Sequence, residues 1–389
     1  MIINQAVKFI SSLRLTVTCL LLAILIVFFG TIAQVNEGLY LAQQRWFHSF
    51  FIWFGPAGGS WKLPLMPGGY LVGTVLLVNL IAAHIQRFRF TWTKLGIHVT
   101  HGGLILLLVG QLATDMLSRE STMSFSEGET RDFIVSPSVA ELAFIAPAAS
   151  GDKDIVVSVP QSLLKVGGEI SHPQLPFKIR VQKTFVNAVV RQRAPMMDKD
   201  APPATAGFGP KVTLIPQPET KKMDERNTPA AILELSTTGG AALGTWVVSP
   251  GLAEQPVPAG DQVWRMTLRY ERTPLPFSVK LLQTKHEVYR GTDIPKNFQS
   301  RVRIENAQTR ESREVDIYMN NPLRYGGLTF YQYQMGRDEA DNNRGNSVLQ
   351  VVRNPSWLTP YVGCGLVAGG LVIQFMMHLI GFIKKRRTA

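Results

Sequence analysis

Residues 94–110 read KLGIHVTHGGLILLLVG. A lysine opens the stretch, two histidines follow three positions apart, a glycine pair comes next, and apolar residues continue from there. No Asp, Glu, Lys or Arg falls between Lys94 and Asp115. That much uncharged apolar sequence crosses a bilayer as one helix, so the chain is read as a membrane protein. His98 and His101 then share one face of that helix. An imidazole in hydrocarbon is costly, so each is a candidate functional residue.

Working outward, three further apolar runs are long enough to span: 13–33, 69–86 and 358–383, beside 96–116. The first has a basic flank and is read as an uncleaved signal anchor. Lys and Arg near the span ends set the orientation. Lys8, Arg14, Arg87, Arg89, Lys94, Lys384, Lys385, Arg386 and Arg387 fall on one side, assigned to the cytoplasm. Both termini are then cytoplasmic, and 34–68 and 117–357 face outward. The net charge of +12 belongs mainly to these flanks, because 117–357 carries 29 basic and 26 acidic residues. The basic balance sets topology and excludes a nucleic-acid partner as its explanation.

The expected fold class is an α+β membrane protein. Four transmembrane helices carry a large exported, β-rich, sandwich-like domain inserted between helices three and four. The domains expected are 1–116 in the membrane, 117–357 exported, and 358–389 as the fourth helix with a basic tail. Within the first, 39–54 (LYLAQQRWFHSFFIWF) is expected to lie in the interface as a helix, with Trp46 and Trp53 at headgroup level. Short alternating runs mark strands at 177–186, 263–271, 276–283, 299–305, 313–319, 328–334 and 346–353. A sandwich and two small β lobes both suit them. Residues 194–230, rich in Pro, Met, Lys and Asp, are expected to form a long mobile insertion. At 321–327, NPLRYGG is expected to make a tight turn into the strand 328–334.

Four of the seven histidines fall inside spans: His84, His98, His101 and His378. Counting from the span ends puts them at similar depth on the cytoplasmic side, with His101 about 7–8 Å inside at helical rise. Four at one level suggest a bis-imidazole metal or haem site, with His101 the first choice of ligand. Gln374 and His378 are spaced i, i+4. Asn79 and Gln111 are read as helix–helix contacts. His48, His172 and His286 are read as residues exposed to water. HExxH, CxxCH and P-loop motifs are absent. The two cysteines, Cys19 and Cys364, both lie in spans, so the exported domain holds neither a disulfide nor a thiol redox centre.

Three stretches carry a resemblance to a known family. They are SLRLTVTCLLLAILIVFFGTIAQ at 12–34, the segment from His101 through STMSFSEGE at 121–129, and NNPLRYGGLTFYQYQM at 320–335. Together with the topology, they resemble the ResB/CcsB family of system II cytochrome c biogenesis proteins. The resemblance implies a bacterial inner-membrane protein paired with a CcsA-type membrane protein. The pair conveys haem b outward and attaches it to the CxxCH motif of apocytochrome c. It implies His101 as the inner ligand of haem iron, with His84, His98 and His378 as further candidates from the depth argument. The chain is then a non-autonomous subunit of a cytochrome c haem lyase with no catalytic residue of its own, and thiol-reducing proteins act nearby. Two alternatives are a haem b electron-transfer subunit and a non-haem scaffold that docks exported cytochromes.

Overall fold

The computed structural model describes residues 2–388 apart from 56–60, 88–90, 149–153, 195–197, 199–201, 221–225, 261, 292–294 and 339–343. The chain divides into a helical unit, Met1–Arg119 with Arg353–Ala389, and a β-rich unit made chiefly of Glu120–Thr220 and Asp224–Val352. The helical unit contains α1 (Ile2–Ile10), α2 (Leu13–Glu37), α3 (Leu39–Ala42), α4 (Gly69–Arg87), α5 (Leu95–Leu117) and α6 (Thr359–Thr388). Four of these, α2, α4, α5 and α6, are long and apolar enough to cross a membrane.

Two kinds of contact join them. At the α2–α4 contact, Asn79 is buried and fully engaged. It donates to the carbonyls of Ile10 (2.6 Å) and Ser12 (3.1 Å), and its Oδ1 accepts from the Thr16 hydroxyl (2.6 Å). A polar side chain in an apolar surround needs such partners, which is why it joins helices. Gln111, read from sequence in the same role, is exposed. At the α5–α6 contact, glycines remove the side chains altogether. A Cβ on Gly103 would stand 2.8 Å from the Gly363 carbonyl oxygen, and one on Gly96 would stand 2.6 Å from Gln374. Gly110 meets Thr359, and Gly370 meets Thr100, in the same way.

The expected interfacial helix at 39–54 is not continuous. α3 passes into one π turn, Gln43–Phe47, and Phe51–Phe54 then forms a strand paired antiparallel with Leu63–Pro67. Phe-Ile-Trp-Phe prefers an extended pleat, and Pro64 and Pro67 tolerate an edge strand but not a helix. Trp46 turns inward, stacked on Phe29 with ring centroids 6.1 Å apart, while Trp53 stays half exposed.

In the β-rich unit, two long strands, Thr130–Pro147 and Gln262–Val288, pair antiparallel and run through two separate hydrophobic cores. The end of the first strand and the start of the second pack against the sheet of Phe177–Phe185, Ala230–Thr237 and Ala242–Val248, around Phe144, Phe177, Leu233 and Met266. The start of the first strand and the end of the second join Pro295–Asn306, Glu311–Tyr318, Leu328–Asp338 and Arg344–Arg353 around Phe277, Ile304 and Phe330. The sequence left a sandwich and two lobes open; the structure has two lobes that share their longest strands. The runs 263–271 and 276–283, read as two strands, are one. The register shifts between Tyr270 and Arg272 and again between Pro274 and Val279. Proline cannot donate to the ladder, and the strand bends there without ending. At the first of these shifts, Glu141 is 5% exposed and accepts from Arg269 Nε (2.8 Å), from the Arg272 backbone N–H (3.4 Å) and from the Ser158 hydroxyl. Arg272 lies over the Phe133 ring at 4.6 Å, and burial pushes its guanidinium below the ordinary arginine value.

The described part of 194–230 is held rather than mobile. Val212–Pro216 pairs with Ala188–Gln192, and Ala204 and Val212 share a core with Ile232 and Val247. Residues 195–197, 199–201 and 221–225 lie outside the described residues. The turn expected at 321–327 is present. Tyr325 pairs with Leu328 across Gly326 (φ 58°) and Gly327 (φ 75°), a two-residue hairpin with both central residues left-handed. The Tyr325 hydroxyl donates to Glu311 (2.8 Å) and accepts from Asn306 (3.1 Å), pinning the hairpin to its neighbours.

Two measurements test this account. A Cβ at Gly327 meets open space, so the cost of Gly327→Val is conformational, roughly 1–2 kcal/mol for a left-handed residue. Thermal unfolding of the detergent-solubilised chain should show it, with Gly327→Asn keeping most of the stability; equal melting of Gly327→Val and the parent would remove the hairpin's role. Glu141→Ala should cost more, about 3 kcal/mol, because it strands the Arg269 charge. A melting temperature unchanged in Glu141→Ala would contradict that.

Candidate functional site

Three of the four span histidines meet. His84 comes from the last turns of α4, His98 and His101 from the first turns of α5. The His84 ring lies 5.1 Å from His98, edge to face, and 5.9 Å from His101 at an interplanar angle of 30°. Antiparallel helices explain the meeting: the end of one lies beside the start of the next. His101 Nδ1 stands 2.8 Å from the Ile97 carbonyl, one turn back. A carbonyl only accepts, so Nδ1 carries a proton, and in the neutral ring Nε2 holds the lone pair. That nitrogen can ligate a metal, and the backbone bond fixes the ring's direction.

The glycine pair serves two faces. Gly103 is covered by α6, whereas a Cβ on Gly102 would meet nothing within 4 Å. At 3.6 residues per turn, Gly96, Gly103 and Gly110 run down one side of α5, and His98 and His101 lie about 180° away. α6 therefore packs behind the histidine face. His378 rides on α6, and its Nε2 lies 2.9 Å from Gln374 Nε2, the i, i+4 pair expected from sequence. Depth grouped four histidines; the structure brings together three and gives His378 a neighbour on its own helix. Among the described residues, no three of His, Cys, Asp and Glu converge as a cage for a bare metal ion. A centre that asks for one or two imidazoles and an open flank suits the arrangement better.

A second cluster occupies the other ends of α4 and α5. The Tyr70 hydroxyl donates to Asp115 Oδ2, and His48 Nε2 lies 3.5 Å from Asp115 Oδ1. His48 is parallel to Tyr70 within 6°, ring centroids 5.5 Å apart, and its Nδ1 is 3.3 Å from the Gln44 amide nitrogen. Both ring nitrogens are thus engaged, and His48 closes the π turn onto the bundle. Sequence reading took His48 as an exposed residue and passed over Tyr70 and Asp115. The signal was available: Asp115 is an acid at the end of an apolar helix, where it needs a partner. Fourteen residues separate Tyr70 from His84 and His101 from Asp115, so each helix holds the two clusters about 21 Å apart. His172 and His286 are exposed; His172 Nδ1 accepts from the Gln174 backbone N–H, and His286 packs on Phe298.

With fold and site described, the likenesses to known proteins become informative. The ResB-like family model matches residues 239–346, which include the hairpin at 323–328 and the second half of the long strand Gln262–Val288. Protein NrfI of Wolinella succinogenes is 30% identical over 121 residues, 30% of this chain and 13% of that protein's length. These matches support assignment of the chain to the ResB/CcsB family.

The two glycine faces give a paired test. Gly103→Leu overpacks the α5–α6 contact and should cost roughly 1–3 kcal/mol. Gly102→Leu points into open space and should leave thermal unfolding unchanged. Equal destabilisation by the two substitutions would show that the close contact is not made by Gly103.

Proposed function

We propose that this chain is the haem-handling subunit of a system II cytochrome c synthase. The observation that carries the reading is the His84, His98 and His101 cluster, with Nε2 of His101 left as a lone-pair donor beside an open glycine. The ResB-like match supports a role in cytochrome c biogenesis, and the four apolar helices support a membrane setting. In this reading the cluster lies toward the cytoplasmic leaflet of a bacterial inner membrane, where the basic flanks put it. Haem b is cargo. His101 ligates its iron on one side, and the second imidazole comes from His84, the ring next to His101, or from a CcsA-type partner. His98 and His378 follow as alternatives, His378 last because α6 lies behind α5. The planar macrocycle lies over Gly102.

The β-rich unit then faces outward and positions the CxxCH segment of apocytochrome c, or the partner's outer site, for thioether formation. Forming those bonds needs reduced cysteines and reduced iron. The exported region has no cysteine, so thiol-reducing proteins supply that reduction. His48, with both nitrogens engaged, acts as a clamp and takes no part in ligation. The chain has no catalytic residue of its own and works only as part of the synthase.

The test is spectroscopic. His101→Ala, made in the complex with the CcsA-type partner, should lower co-purifying haem or shift its Soret band, and added imidazole should restore part of the signal. His172→Ala and His286→Ala should leave the spectrum as it was. Full haem content with an unaltered low-spin spectrum in His101→Ala would end the inner-ligand assignment and favour a scaffold without haem. Stoichiometric haem that cycles reversibly in a redox titration would favour an electron carrier instead.

A further inference from the structure

The lobe around Phe144, Phe177, Leu233 and Met266 is built of two facing sheets, which leaves four lateral edges. An open edge is a template for another chain, and short strands, prolines and covering segments are the usual protections. Three of the four edges have one. The strand Gln255–Ala259 carries Pro256 and Pro258, which cannot donate to a further strand. Ala242–Val248 is met by the chain itself, the Thr205 and Ala206 N–H groups donating to the Thr245 carbonyl (3.1 and 2.8 Å). Glu169–Ile170 is two residues long.

The fourth edge, Asp154–Pro160 (DIVVSVP), carries its one proline at the last position. It pairs in unbroken register with Glu141–Pro147, and among the described residues it pairs with no other strand. In an antiparallel ladder every second residue turns its N–H and C=O away from the partner, so the outer side of this strand presents backbone groups that the ladder leaves open. Val157 and Val159 are buried in the core, whereas Ile155 and Val156 are 39% and 46% exposed. No charged residue lies at 155–160, and Asp154 is held by Arg265 at 2.7 Å. The edge is therefore long, β-branched and neutral, a composition that pairs readily with an added strand.

We propose that Asp154–Pro160 takes an extended, uncharged segment of a partner polypeptide as an added strand. The main chain of that segment supplies the N–H and C=O groups that continue the ladder, and its alternate side chains extend the apolar row of Ile155 and Val157. A second copy of this chain is disfavoured by size. Seven residues give a ribbon about 24 Å long and one strand wide. Such a contact falls below the roughly 800 Å² per partner of a stable association, and suits brief engagement of an unfolded chain. The proposal deepens, and rests on, the part of the functional reading that gives the β-rich unit a polypeptide to position, and it needs no haem.

The experiment follows backbone hydrogen exchange by mass spectrometry on the full chain in detergent. The probe is the capped peptide acetyl-Lys-Thr-Val-Thr-Val-Thr-Lys-amide. The comparison is the same peptide N-methylated at every residue between its lysines, which leaves no donor there for either edge. The probe should slow exchange across 154–160 saturably. The N-methylated peptide should bind roughly three- to tenfold more weakly for each hydrogen bond lost. Val156→Lys puts a charge at an exposed position of the edge, and should abolish the slowing with unchanged melting. If that variant does not fold, the two peptides compared on the parent chain decide the matter. No slowing at millimolar probe, equal slowing by the N-methylated peptide, or full slowing in folded Val156→Lys would overturn the proposal. So would slowing that needs no peptide and rises with the concentration of the chain, since a second copy would then be the occupant. Each of those results would leave the His101 spectrum untouched, so failure here is distinct from failure of the haem reading.

Discussion

The close approach of α5 and α6 is the contact that the membrane part depends on. Gly96, Gly103 and Gly110 place three side-chain-free positions, one every seven residues, under α6, where Gly363 and Gly370 answer them. Lipid gives no hydrophobic drive for helices to associate, so contact at backbone distance has to supply it. Once α6 occupies that face, the rotation of α5 is fixed. His98 and His101 must look the other way, and α4 brings His84 to them. A functional cluster is thus oriented by residues that take no part in it. The i, i+7 glycines hold the position, and the i, i+3 histidines use it.

The same division of labour appears across the length of α4 and α5. At one end three imidazoles come together and one keeps a free lone pair. At the other, Tyr70, Asp115 and His48 satisfy one another. Asp115 accepts from the Tyr70 hydroxyl and stands 3.5 Å from His48 Nε2, which ties the π turn to the bundle. The two clusters therefore sit about 21 Å apart on the same two helices, and His48 at one end is tied into the bundle while His101 at the other keeps Nε2 clear of its backbone bond.

In the β-rich unit the long strands Thr130–Pro147 and Gln262–Val288 do what the glycine contact does in the membrane part. They belong to both cores, and the bend at Pro274 hands them from one to the other. The buried Glu141 sits at the earlier register shift, between Tyr270 and Arg272, with the Arg269 and Arg272 groups around it. A strand that bends loses ladder bonds, and a carboxylate with several donors offsets that loss locally. The ResB-like match begins before this bend and runs on through the second core.

The sequence by itself determined the four spans to within a few residues, because a bilayer-length apolar run has few alternatives. It determined the hairpin at 323–328, because paired glycines after Tyr325 admit left-handed backbone. It determined strands at 177–186 and in the runs between 263 and 353, but not Thr130–Pro147, Ala230–Thr237 or Ala242–Val248, and it determined that Asn79 in a span must find partners. It misread 39–54, where an aromatic run short of charge suits an interfacial helix and an edge strand equally, and only pairing with Leu63–Pro67 decides. It read one long strand as two, since a proline looks like an end when no partner strand is in view. For the site, spacing and depth put four histidines at one level, but depth carries no information on rotation about a helix axis. Packing decided that rotation. It set His84, His98 and His101 together, put His378 behind α5, and joined His48 to Asp115 and Tyr70 across residues far apart in the chain. Such contacts depend on which faces of separate helices meet, and no local pattern in the sequence encodes that.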